Sequence, residues 1–157
     1  LKIPKPFFYG IIIACLVAFF DLLTKRLVFA FLAEHGEIVV FNFFSLVRVW
    51  NRGVSFGMFS HLENSQIIFS LIQGLIIFIL FFWLYYNKKL HFVYALGLII
   101  GGAFGNLIDR IQNGAVADFL DFHIGIYHWP AFNLADSCVF IGVMILLFDD
   151  IFFRKKQ

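Results

Sequence analysis

Charge is scarce in this sequence. Asp, Glu, Lys and Arg make up 14% of its 157 residues, about half the share of an ordinary soluble domain. A net charge of +2 gives nucleic acid no basic surface to bind, so no nucleic-acid partner is expected. There are only two cysteines, Cys15 and Cys138, both inside apolar runs. That excludes a disulfide framework and leaves each as a small packed hydrophobe. No internal repeat and no low-complexity tract interrupts the chain, and its length suits one domain over 1–157. No apolar run shows the strict alternation of a transmembrane barrel strand.

Apolar surface is what the chain has in excess. It is 62% hydrophobic and 20% aromatic, with 24 Phe and a mean hydropathy of +0.91. In water that much surface would leave large exposed patches, whereas lipid solvates it. Four apolar segments, at about 7–33, 66–86, 92–108 and 134–153, are near the roughly 20 residues a helix needs to cross the hydrocarbon core. Helices are expected because lipid offers the backbone no hydrogen-bond partner. The fold expected is mainly α: a polytopic membrane protein of four transmembrane helices. The connections at about 34–65 and 109–133 then share one face. The first of them, rich in β-branched and aromatic residues from Ile38 to Trp50, predicts a small β-rich surface domain. Phe41, Phe43, Phe44 and Trp50 are candidate interfacial anchors there.

Basic residues set the orientation. Lys2, Lys5, Lys88, Lys89, Arg154, Lys155 and Lys156 face only Asp149 and Asp150 on the side of the termini. On the other side acidic residues outnumber basic ones. Both termini are therefore expected in the cytoplasm, and the two long connections outside. The first segment begins like a signal peptide, and Ile12-Ile13-Ala14-Cys15 looks like a lipid-attachment site. The apolar run continues through Phe20, however, where a processed lipoprotein turns polar, so a retained helix is expected. Gly97, Gly101 and Gly105 recur every fourth residue and predict a smooth face for close helix packing.

Ionisable groups within spans are costly and usually functional. Asp21, Asn106, Asp109, Arg110, Asp118, Asn133 and Asp136 all fall toward the outward ends of their segments or in the adjoining connection, which predicts one polar site at that depth. Asp118 follows the third span after a turn at Gly114. Asp136 opens the fourth span behind Pro130 and a helix cap at Asn133. Two close carboxylates share a proton, and such a pair suits the activation of water and a carbonyl. Spacing alone leaves a structural role open. Asp118, Asp121, His123 and His128 carry donor atoms that suit a divalent metal, but their spacing matches no specific ligand motif. A transporter or proton-conducting protein is the rival class, and a membrane assembly protein a further one. A transporter predicts polar residues through the full depth of the bilayer, which the apolar second span opposes.

Five segments in order carry a resemblance. Asp21-Leu22-Leu23-Thr24-Lys25, Asn51-Arg52-Gly53-Val54-Ser55-Phe56-Gly57 and Gly101-Gly102-Ala103-Phe104-Gly105-Asn106-Leu107-Ile108-Asp109-Arg110 are followed by Val116-Ala117-Asp118-Phe119 and Phe132-Asn133-Leu134-Ala135-Asp136-Ser137. Over nearly its whole length the chain resembles the lipoprotein signal peptidase family, also called signal peptidase II. Leu22 stands where that family usually has Gln. The resemblance implies an aspartic endopeptidase that cleaves the signal peptide from prolipoproteins just before a diacylglyceryl-modified cysteine, without metal or organic cofactor. It implies Asp118 and Asp136 as the catalytic pair. It implies Asp21, Lys25, Asn51, Gly53, Asn106, Asp109, Arg110, Asn133 and Ala135 as residues that bind substrate or support the site. Lipid-modified prolipoproteins and membrane lipids are the partners expected, with a monomer sufficient and the bacterial cell membrane as location.

Overall fold

The computed structural model describes residues 3–52 and 65–153. Four helices carry the chain: α1 (Lys5–His35), α2 (Ser65–Tyr86), α3 (Leu90–Asn113) and α4 (Leu134–Phe153). Between them lie β1 (Ile38–Phe41), β2 (Phe44–Asn51), β3 (Val116–Ile124) and β4 (Tyr127–His128). Three of the helices, α1, α2 and α3, are long and apolar enough to cross a membrane; the apolar stretch Leu134–Phe148 of α4 is shorter.

α3 is the centre of the helical part, and small residues put it there. The inward residues of α1 are Gly10, Ala14, Ala18, Asp21, Lys25, Phe29 and Leu32, the three-and-four spacing of one helix face. That face begins with small residues, passes through the charged pair Asp21 and Lys25, and ends with Phe29 and Leu32. A Cβ on Gly97 would meet the Gly10 carbonyl at 2.8 Å, and one on Gly101 would meet the Ala14 carbonyl at 2.6 Å. The glycine face expected from the sequence is therefore the seam along which α1 and α3 run parallel. α4 packs antiparallel on another side of α3, where Gly102 meets Ala135 and Gly142 meets Ala95. Leu84 of α2, Val93, Leu96 and Ile100 of α3 and Ala14 of α1 form the buried apolar cluster between the helices. Outward-facing side chains, among them Leu71, Phe78 and Phe82 of α2 and Ile12 and Phe19 of α1, are large, apolar and exposed. This inversion is what a lipid solvent selects, since hydrocarbon solvates such side chains at no cost.

The small sheet expected in the first connection is present and extends further than expected. Its order is β1-β2-β3-β4, every pair antiparallel, so the first and third connections form a single sheet. Phe44 lies opposite Phe122 and Asn51 opposite Val116, with a bulge in β2 between Leu46 and Val49. The third helix also ends later than 108. It continues to Asn113 and stops at Gly114, whose φ of 66° is a left-handed cap. Asp109 and Arg110 are therefore helical and face the bundle, where the sequence alone suggested a loop.

Candidate active site

The charged stretch of the α1 face, Asp21 and Lys25, meets α3, α4 and β3, and nearly every polar motif residue converges there. Lys25 Nζ lies 2.7 Å from Asp21 Oδ2 and 2.9 Å from Asp109 Oδ2, and donates to Asn106 Oδ1 at 2.8 Å. Lys25 and Asp21 are one helical turn apart on α1, while Asp109 and Asn106 come from α3. Gly105 is what admits this group, because a Cβ there would collide with the Asp21 carboxylate. Asp21 Oδ1 accepts from the Ala135 backbone N–H at 2.9 Å, fixing the start of α4, and Asp109 Oδ2 accepts from the Ala117 N–H at 3.2 Å, fixing β3. A buried lysine flanked by two carboxylates is thus a clamp that joins four elements.

Asp136 occupies the first turn of α4. Its backbone N–H donates to Asn133 Oδ1 at 2.9 Å, and its Oδ2 accepts from the Asn133 N–H at 3.3 Å. This is the reciprocal arrangement of a capping box, and it places a carboxylate where the helix dipole favours negative charge. Asp136 Oδ1 accepts from Asn106 Nδ2 at 2.8 Å. Asp118 projects from β3, with Oδ1 accepting from Asn133 Nδ2 at 2.7 Å and Oδ2 from Asn51 Nδ2 at 3.0 Å. Asn133 also reaches Asn106 Oδ1 at 3.1 Å and the Ala117 carbonyl at 3.3 Å. The two aspartates are thus tied into one network through two asparagines. Burial, and next the negative charge of Asp136, push Asp118 up to about 7, against the lowering effect of its bonds to Asn51 and Asn133.

Three placements are visible only in the structure. Arg110 does not pair with Asp109. Asp109 is engaged by Lys25, and Arg110 Nη1 donates to Gln73 Oε1 at 2.8 Å instead. Gln73 of α2 also donates to the Ala103 carbonyl at 2.6 Å. It is a site neighbour that sequence reasoning missed; its only signal is an amide inside an apolar helix. Asp121 and His123 lie on the face of β3 opposite Asp118, as strand alternation requires. His128 Nδ1 is 2.8 Å from Asp121 Oδ2, and His123 Nε2 is 3.2 Å from Ser45 Oγ. Among the described residues no three His, Cys, Asp or Glu side chains form a metal-holding group. Gly53, with the rest of its motif through Gly57, lies outside the described residues.

An apolar helical bundle with buried carboxylates gathered beneath a small sheet defines the class: a multi-pass membrane enzyme. A solved bacterial membrane enzyme is similar over 95% of this chain and 93% of its own, with a TM-score of 0.78 and 30% identity. The Signal peptidase (SPase) II family matches residues 13–152, and the chain belongs to that family, so it is a peptidase. Among its relatives, the lipoprotein signal peptidase of Anaplasma phagocytophilum (strain HZ) is 44% identical over 88% of each chain. That of Francisella tularensis subsp. novicida (strain U112) is 37% identical over the full length of both.

Proposed function

We propose that this chain is an aspartic endopeptidase that removes the signal peptide from diacylglyceryl-modified prolipoproteins, cutting just before the lipidated cysteine. The observation that carries the reading is the pair Asp118 and Asp136, joined through Asn133 and Asn106 at the end of an otherwise apolar bundle.

Asp136, at its helix N-terminus, takes a proton from water, whose oxygen attacks the scissile carbonyl carbon. Asp118, protonated over much of its population at neutral pH, gives its proton to the carbonyl oxygen. The tetrahedral adduct then collapses. The C–N bond breaks, the proton held by Asp136 passes to the leaving amine, and one hydroxyl proton of the adduct returns to Asp118. Asn51 and Asn133 hold Asp118, Asn106 and Asn133 hold Asp136, and the clamp of Asp21, Lys25 and Asp109 fixes the helices that carry them. Arg110, Gly53 and Ala135 belong to the substrate-facing or supporting set. No metal or organic cofactor takes part.

The same reading has four spans and both termini in the cytoplasm. The sheet then lies at the outer surface of the bacterial cell membrane, where a lipid-anchored substrate enters sideways from the bilayer. A monomer carries the whole site. Purified protein in detergent, given a lipid-modified prolipoprotein, tests it. Asp118→Asn and Asp136→Asn should each abolish cleavage while leaving the protein folded. Full cleavage by either variant would exclude the pair, and loss of wild-type cleavage to a chelator, restored by zinc, would exclude a metal-free mechanism.

A further inference from the structure

Behind the β2–β3 pair, on the side of α1, lies a cavity of about 380 Å³ that the proposed reaction does not use. Arg26 of α1 and Arg48 of β2 line it, with an apolar wall that includes Phe29, Ala33 and Trp50 and a polar rim at Gln112 and Asn113. Lys25 and Asp109 form its floor, but their charges are already matched within the clamp. The two arginines are not matched: among the described residues neither has an ion pair. Arg48 places its Cζ 5.5 Å from the Phe29 ring centroid, a cation–π contact that engages none of its N–H donors as a hydrogen bond would.

We propose that this cavity binds the phosphate diester of an anionic glycerophospholipid. Two guanidinium groups offer the forked donors that suit phosphate oxygens. The aromatic wall suits the glycerol backbone and the first methylenes of the acyl chains, and the rim amides suit headgroup hydroxyls. Leu23 and Leu27, which follow the cavity-lining Leu22 and Arg26 on α1, are exposed and apolar, so apolar surface flanks the cavity. A lipid that matches this chemistry carries a charged phosphate, whereas the diacylglyceryl group of the proposed substrate is uncharged and gains nothing from two arginines. Occupancy bears on the active site through adjacent residues. Trp50 lines the cavity and Asn51 beside it holds Asp118; Ala117 lines it and is followed by Asp118 itself. A bound lipid therefore buttresses the back of the strand pair that presents Asp118.

The test has a binding arm independent of catalysis. Full-length protein in detergent is titrated with phosphatidylglycerol, phosphatidylcholine or glycerol 1-phosphate, and retained ligand is counted by native mass spectrometry. Wild type should retain phosphatidylglycerol at concentrations about tenfold lower than R26Q/R48Q does, and in preference to phosphatidylcholine. The single variants R26Q and R48Q should fall between, and serve if the double variant does not fold. In nanodiscs, adding phosphatidylglycerol to phosphatidylcholine should raise cleavage by wild type and not by R26Q/R48Q. This second arm rests on the proposed function; the first does not. Equal retention of phosphatidylglycerol by wild type and the arginine variants overturns the proposal. So does retention of glycerol 1-phosphate as strong as that of the lipid, which would make this a site for a free anion.

Discussion

Asn133 and Asp136 cap each other: the side chain of each bonds the backbone N–H of the other, at 2.9 and 3.3 Å. The same Asn133 side chain donates to Asp118 at 2.7 Å. One residue thus sets the start of α4, the rotamer of Asp136 and the position of Asp118. Asn133→Ala should lower kcat about 100-fold, the scale of a misplaced reacting group, with a stability loss of about 1 kcal/mol for the missing cap. Steady-state kinetics beside thermal unfolding in detergent separate the two effects. A loss of stability with unchanged kcat would show that Asn133 is only a cap.

The pH profile follows from Asp118. Its carboxyl is raised from 3.8 to about 7 by burial first and by Asp136 second. A raised carboxyl favours the folded state when protonated, so its contribution is complete below about pH 4 and declines as pH rises toward 7. Cleavage that uses the Asp118 proton should fall on the alkaline side, by roughly fivefold between pH 7 and 8 for a group titrating near 7. Initial rates from pH 5 to 9 check the activity. Thermal transitions of wild type and Asp118→Asn over pH 4 to 8 check the stability: the wild-type transition should drop with pH more than that of the variant.

Lys25 tests the clamp. Lys25→Met leaves Asp21 and Asp109 buried without their cation, and removing one partner of a buried ion pair costs about 3–5 kcal/mol. The variant should unfold at markedly lower temperature, and the combination D21N/K25M/D109N should recover part of the loss. A single variant as stable as wild type would show that the clamp does not hold the elements together.

Gln73 is predicted to position Arg110. Gln73→Leu removes the acceptor of the 2.8 Å bond and frees the guanidinium. If Arg110 meets the substrate, the variant should raise KM severalfold at nearly constant kcat, and Gln73→Glu, which keeps the acceptor, should restore it in part. A fall in kcat alone would place the effect on the aspartates instead.

Much of this was legible in the chain, and the limits have physical causes. The spans are visible because lipid demands long apolar helices. Gly97, Gly101 and Gly105 are legible as a packing face because a helix aligns every fourth residue. Asp118 and Asp136 stand out because charged groups are rare in such a chain. The end of α3 was misplaced, because Asp109 and Arg110 look like loop residues until their buried partners are known. The sheet was half seen: the pairing of β2 with β3 joins segments far apart in sequence, and no local pattern encodes that register. Gln73 was missed because one amide in an apolar run gives no direction.

The sequence by itself determined an apolar helical chain suited to a membrane, its packing seam and its candidate site residues, since composition and helical period act locally. Only the tertiary structure decided which carboxylates are clamped by Lys25 and which are held by amides. That division depends on distances between four elements, and it makes Asp21 and Asp109 parts of a scaffold while leaving Asp118 and Asp136 as the candidate catalytic pair.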